Sequence, residues 1–175
     1  MLNRKGDIVA SAVTNLDLHD IARAARTYGV RAVYIVTPLE DQKVLVERIV
    51  DHWVSGIGSE YNPKRREALE LIRIQHSLEG VLTDMAQREA DTPRTVATTA
   101  RSRNRGIDHL ELKEKMATGD PYLLLLGTAW GLAEEIFDSA DFILDPIKGI
   151  SEYSYLSVRS AASILFDRLL GDRDS

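Results

Sequence analysis

The residues best suited to ligand chemistry lie in three blocks in the last third of the chain. The apolar run Leu123-Leu124-Leu125-Leu126 ends at Gly127-Thr128-Ala129-Trp130-Gly131, and Phe142-Ile143-Leu144 ends at Asp145-Pro146-Ile147-Lys148-Gly149. Short continuous apolar runs closed by breakers predict strands covered on both faces, the pattern of a parallel sheet. In open α/β sheets, ligands sit beyond the carboxyl ends of such strands. Gly127, Gly131 and Gly149 fall there, where a missing Cβ lets backbone N–H and C=O groups approach a bound molecule. The third block, Ser151-Glu152-Tyr153-Ser154-Tyr155, leads into a predicted helix from Leu156 to Leu170, with small residues at Ser157, Ser160, Ala161, Ala162 and Ser163 and a stop at Gly171. Consecutive strand ends of this kind read as a nucleotide cradle.

The elements that must position these blocks alternate along the chain. Periodicity predicts helices near 17–28, 40–54, 78–90 and 108–117, and strands at 31–37, 70–75 and 95–99. This is βα repetition in one domain spanning 1–175. Asn15 or Asp17 can cap the first helix, and Gly29 closes it. Leu45, Ile49 and Trp53 fall near one face of the second, which makes Trp53 a core anchor. Between Arg94 and Arg105, the residues Arg94, Arg101, Arg103 and Arg105 run without an acidic neighbour after the strand Thr95–Thr99. That loop reads either as a phosphate-binding arm or as a solvated surface loop. Lys64-Arg65-Arg66 follows Pro63 as an exposed helical start. His19, His52, His76 and His109 show no metal spacing, so no metal is expected.

Composition bounds the class. A chain of 175 residues forms one core and buries roughly 70% of its unfolded surface. It has no cysteine, so disulfides, thiolate nucleophiles and Cys-based zinc sites are excluded. No apolar run approaches the ~18 residues of a membrane span, and the expected location is the cytoplasm. The formal charge of −5 works against nucleic-acid binding in the sum, although its distribution matters more.

Taken in register, GTAWGL, DPIKG and YLSVRSAASIL resemble the SPOUT class of S-adenosylmethionine-dependent RNA methyltransferases. The stretch Asn15-Leu16-Asp17-Leu18-His19-Asp20-Ile21-Ala22-Arg23, running on to Val30, resembles that class's first motif. Thr14–Asp17, Tyr34–Leu39 and Tyr61–Pro63 resemble a bacterial subgroup of predicted RNA methyltransferases. The resemblance implies an open, mostly parallel sheet with helices on both faces and a C-terminal trefoil knot. It implies methyl transfer from S-adenosylmethionine to a base or ribose of RNA, tRNA or rRNA being the expected substrate, by a homodimer with no membrane partner.

Carried over residue by residue, the cofactor would be held by Thr98 and Thr99 at one strand end and by Leu126, Gly127, Thr128 and Gly131 at the next. Asp145, Pro146, Ile147 and Gly149 would follow, then Tyr155, Leu156, Ser157 and Ser160. Adenine is expected near Ile147 and Leu156. Arg23 matches the motif arginine beside the active site, with Asp17 and His19 as its catalytic companions and Glu134 and Asp145 as further local bases. Arg101, Arg103 and Arg105 would reach RNA phosphates. Two departures bear on the chemistry. Tyr155 stands where ribose 2′-O methyltransferases of the class carry Asn, and the G-D-Y/F loop of guanine-N1 methyltransferases is absent. The alternative is a non-catalytic module that binds S-adenosylmethionine or RNA on the same fold. The first-motif helix, with Ala22, Ala24 and Ala25, and the small-residue last helix are expected at the dimer contact. Similar proteins carry an apolar strand just before Asn3; either the sheet here lacks that strand and the partner chain or Ile8–Val13 covers the exposed edge, or Ile8–Val13 is itself the first strand.

Overall fold

The structure, a computed structural model, describes residues 12–89, 91–151 and 153–172. Ile8 to Ser11 of the candidate first strand lie outside the described residues. The chain opens with α1 (Asn15–Thr27), β1 (Val33–Val36), α2 (Glu40–Val54), α3 (Ile57–Tyr61), α4 (Pro63–Leu69), β2 (Ile72–Gln75) and α5 (Leu78–Glu89). It continues with β3 (Arg94–Thr98), β4 (Gly106–Ile107), α6 (His109–Met116), β5 (Tyr122–Leu125), α7 (Glu134–Ser139), β6 (Phe142–Leu144) and α8 (Val158–Leu170).

The parallel pairing expected from the apolar runs is present, in two sheets. β1 pairs with β2 in register Val33↔Ile72. The second sheet has the order β4-β6-β3-β5, with Val96 opposite both Leu124 and Phe142, and every pairing is parallel. Asp141 locks β6 to β3 at their starts, accepting from the Thr95 backbone N–H at 2.7 Å and its hydroxyl at 2.8 Å.

α1 forms because Leu18, Ile21, Ala22 and Ala25 make one apolar stripe. Its cap is Thr14, whose hydroxyl accepts the Asp17 N–H, rather than Asn15 or Asp17. Gly29 follows at φ +72°, a left-handed position that suits glycine. Ala22 and Ala25 are fully buried inside the chain, Ala25 in a cluster with Ala162 and Phe166 of α8. These two alanines are therefore unavailable to a partner subunit, which removes them, and not the half-buried Ala24, from the expected dimer contact. Within α2 the buried residue is Val46, while Leu45 is exposed and only Ile49 and Trp53 of the expected face join the core. α4 starts as Pro63 predicts, with the Asn62 side chain accepting the Arg65 N–H at 3.0 Å. Gly171 ends α8 at φ −63°; a Cβ there would lie 2.4 Å from the Asp167 carbonyl, so close approach and not left-handed backbone calls for glycine.

Candidate active site

The loop after β5 turns sharply. Ala129 has φ 52° and Gly131 φ +100°, and the Gly131 N–H donates to the Thr128 carbonyl at 3.0 Å. A Cβ on Gly127 would lie 2.7 Å from the Leu132 nitrogen and 2.8 Å from the Gly131 carbonyl carbon. Gly127 is thus required by the return of its own loop, which the sequence reading attributed to a ligand. Among the described residues, Cβ atoms added at Gly131 or Gly149 would meet nothing within 4 Å, so the space beside those two glycines is open to them.

At the end of β3 the Thr98 hydroxyl donates to the Leu125 carbonyl at 2.8 Å, bracing β5. The Thr99 hydroxyl is engaged by the Arg101 backbone, accepting its N–H at 3.0 Å. After β6 the Asp145 N–H donates to the Ile107 carbonyl at 2.9 Å, Pro146 is buried, and Ile147 packs with Leu126 against the cluster of Leu144, Leu165 and Leu169. Ser157 caps α8 by accepting the Ser160 N–H at 3.3 Å. Trp130, Ile150, Tyr153, Tyr155 and Leu156 each keep half or more of their surface exposed, and the Tyr153 and Tyr155 rings lie 5.4 Å apart. Open apolar and aromatic groups beside uncovered backbone fit a nucleoside, the adenosine part of S-adenosylmethionine.

On the α1 side, Arg23 is exposed and lines a shallow depression with Asp20, Thr27, Arg159, Ser160 and Ser163. Asp20 does not pair with Arg23. Arg159 takes both α1 carboxylates instead, Asp17 at 3.0 Å and Asp20 at 3.5 Å. Sequence reasoning missed Arg159, since Asp17 and Asp20 lie one helical turn apart beside a nearer cation, Arg23, at helical spacing from Asp20. His19 faces elsewhere, toward α2 and α4, with its ring edge-on to Trp53 at 5.5 Å and the Arg65 guanidinium 4.5 Å over that indole. Its Nδ1 is buried with no hydrogen-bond partner, and burial, with Arg65 adding to it, lowers the imidazole pKa. The ring is therefore neutral at pH 7. Asp17 and Arg23 come together with α8, and His19 is parted from them.

The basic loop turns inward. Arg103 makes a two-pronged pair with Glu134, at 2.7 and 2.8 Å, and its guanidinium lies 3.6 Å from the Phe137 ring centre. This pairing raises the Arg103 pKa and holds the Glu134 carboxyl below its usual range, a poor setting for a base at neutral pH. Arg105 reaches the Phe137 carbonyl at 3.5 Å, and Arg94 pairs with Asp120 at 3.4 Å. Of the three arginines expected on RNA, Arg103 and Arg105 are engaged by α7, an element the sequence reading did not predict, and Arg101 stands exposed.

Residues 1–171 match the model of a family described as SAM-dependent RNA methyltransferase, and the chain belongs to that family. A protein named tRNA (guanine-N(1)-)-methyltransferase from Oleidesulfovibrio alaskensis is 42% identical over 172 residues, 98% of this chain and 40% of the relative. This chain therefore spans about two-fifths of that relative's length. An uncharacterized protein of Aquifex aeolicus is 34% identical over 169 residues, 96% of this chain and 82% of its own. Among solved structures, a putative methylase family protein from Neisseria gonorrhoeae superposes with a TM-score of 0.63 at 19% identity, covering 91% of this chain and 78% of the other. That likeness, with others to methylases of the same architecture, bears out the α/β fold expected from the resemblance. No helix among the described residues is long and apolar enough to cross a membrane.

Proposed function

We propose that this chain transfers the methyl group of S-adenosylmethionine to a nucleotide of RNA, with tRNA or rRNA as substrate, working as a cytoplasmic homodimer whose C-terminal strand ends are threaded as a trefoil knot. One observation carries the reading. Ser160, in the first turns of α8, lines the depression that holds Arg23, while the residues just before that helix, Tyr155 and Leu156, stand open beside the strand-end loops. Two binding regions thus share one short piece of chain.

Bound S-adenosylmethionine supplies an electrophilic methyl on a sulfonium. The protein's part is position: backbone of the loops around Gly131 and Gly149, with Ile147 and Leu156, holds the nucleoside. Arg23 draws the RNA backbone to the depression. Asp17 acts through Arg159, fixing α8 against α1. Orienting two reactants in this way lowers a barrier by ~7 to 11 kcal/mol. His19 braces Trp53 and takes no part in proton transfer. Arg101 is the arginine left to meet phosphate. The guanine-N1 name belongs to relatives more than twice as long as the matched segment, so it supports RNA as the substrate class and leaves the modified atom open.

The test is ligand-dependent melting followed by turnover. A ligand that binds only the folded state at a hundred times its Kd adds about 2.7 kcal/mol, a rise of several degrees. S-adenosylmethionine should give that rise, NAD and ATP should not, and labelled methyl should pass to RNA from a strain lacking the gene. Binding without transfer would favour the non-catalytic module. Absence of both at millimolar ligand would refute the proposal.

A further inference from the structure

The loop that follows β5 holds its tryptophan outward under strain. The Gly131 N–H bonds back to the Thr128 carbonyl, so Ala129 and Trp130 are the central residues of a tight turn. A positive φ at the first central residue and not the second is the pattern of a type II′ turn, which takes glycine at that place. Here the residue is alanine, at φ 52°. Strain of this kind persists only where the surroundings hold it, and it gathers at ligand sites. The side chain presented by the turn, Trp130, keeps 56% of its surface exposed. Trp53, the other tryptophan of the chain, is instead packed against His19 and Arg65.

The same turn runs into α7, whose Glu134 carboxylate grips Arg103 of the loop after β3. Arg101, two residues away on that loop, is exposed, and its charge helps to hold the Glu134 carboxyl below the usual range, so it acts at the same place. An open indole and an exposed guanidinium thus flank a carboxylate that Arg103 already neutralises. An indole takes the face of a nucleobase and a guanidinium takes a phosphate, so the two together suit one nucleotide with its backbone. In a duplex the base faces are covered by their neighbours, and only an unpaired nucleotide offers one. The adenine of the cofactor fits this place less well. It carries no phosphate, and β3 lies between β5 and β6, which sets the root of the Trp130 loop about 10 Å from that of the Ile147 loop. We propose that Trp130 is a platform on which one unpaired base of the RNA stacks while Arg101 holds the adjoining phosphate, so that the substrate is single-stranded where it meets this loop. RNA as the partner rests on the methyltransferase reading; the role of the indole is additional to it.

Fluorine NMR of protein labelled with 5-fluorotryptophan tests it, since each of the two tryptophans gives one resonance and Trp130→Phe assigns them. The probes are a mixed-sequence RNA strand of about nine nucleotides, the same strand annealed to its complement, and the same strand with its bases removed. Each is added to protein already saturated with S-adenosylhomocysteine. The single strand should shift the Trp130 resonance and leave that of Trp53 in place, while the duplex and the abasic strand move neither. Trp130→Ala should weaken single-strand binding about 5- to 150-fold, the effect of one lost stack, and leave its salt slope unchanged. Arg101→Ala should keep the Trp130 shift and flatten that slope by up to ~0.7. An abasic strand that binds as tightly as the intact one overturns the proposal, as does a single strand that fails to bind or binds Trp130→Ala undiminished. A Trp130 resonance that moves with S-adenosylhomocysteine and no further with RNA also overturns it, because the ring would then serve the cofactor. A strand stacked on Trp130 with no methyl passing to any RNA supports the platform and defeats the methyltransferase reading alone.

Discussion

The strand ends of β1 and β2 and those of β5 and β6 belong to the same parallel architecture and meet solvent differently. Beyond β1 the backbone pairs within the chain: Thr37 is buried between the exposed Val36 and Leu39, its N–H donates to the Gln75 carbonyl at 3.0 Å, and its hydroxyl accepts the Leu39 N–H at 3.3 Å. Beyond β5 and β6 the side chains of Trp130, Ile150, Tyr153, Tyr155 and Leu156 stand open. A strand end becomes a site when its loop leaves both aromatic surface and backbone uncovered, and one whose backbone is paired within the chain offers a ligand much less to hold.

Gly127→Val should break the open end most severely. Its Cβ has no room against Leu132 and Gly131, so the loop must move and the protein should lose about 1–3 kcal/mol along with its S-adenosylmethionine melting shift. Gly149→Ala sharpens the point. With nothing within 4 Å of the added Cβ it should melt within about 0.5 kcal/mol of the wild type, and any loss of cofactor binding in calorimetry would then report ligand approach alone.

At the closed end, Thr37→Val removes one buried hydrogen bond. Denaturation should show a loss of about 1 kcal/mol, and the cofactor shift should be unchanged. A lost shift would mean that the two ends are coupled.

The start of the C-terminal sheet responds to acid. Hydrogen bonds from the Thr95 backbone, and then from its hydroxyl, hold the Asp141 carboxyl below the usual range. A depressed carboxyl contributes its full stability above the unfolded value of about 3.9, and the contribution disappears as pH falls through the folded value. Melting temperature should therefore fall as pH drops below about 4, and a scan of Asp141→Asn should have a shallower slope there.

A small effect on stability is expected for Glu134→Gln. The pair with Arg103 sits at the surface, and its loss should cost less than about 1 kcal/mol. Freed from α7, Arg103 becomes able to meet RNA, so the log–log salt slope of RNA binding should steepen by up to ~0.9. Arg101→Ala should flatten the slope in the wild-type background. Identical slopes in all three proteins would remove the loop from the RNA interface.

What the sequence determined by itself was local. Each buried strand is a short apolar run with its own breakers, and helix periodicity needs only neighbours three and four residues away, so α2, β6 and most other elements were legible within a few residues. The strand-end blocks were legible for the same reason. The elements that were missed, α3, β4 and α7, are short and have little periodicity to read. Tertiary structure decided the rest. Arg159 meets Asp17 across 142 positions, and Arg103 meets Glu134 across 31. No local pattern ranks one distant carboxylate above another, because such pairs are weak and are chosen by where packing leaves the side chains. The role of Gly127 was likewise decided by packing, since it depends on which backbone segments arrive side by side.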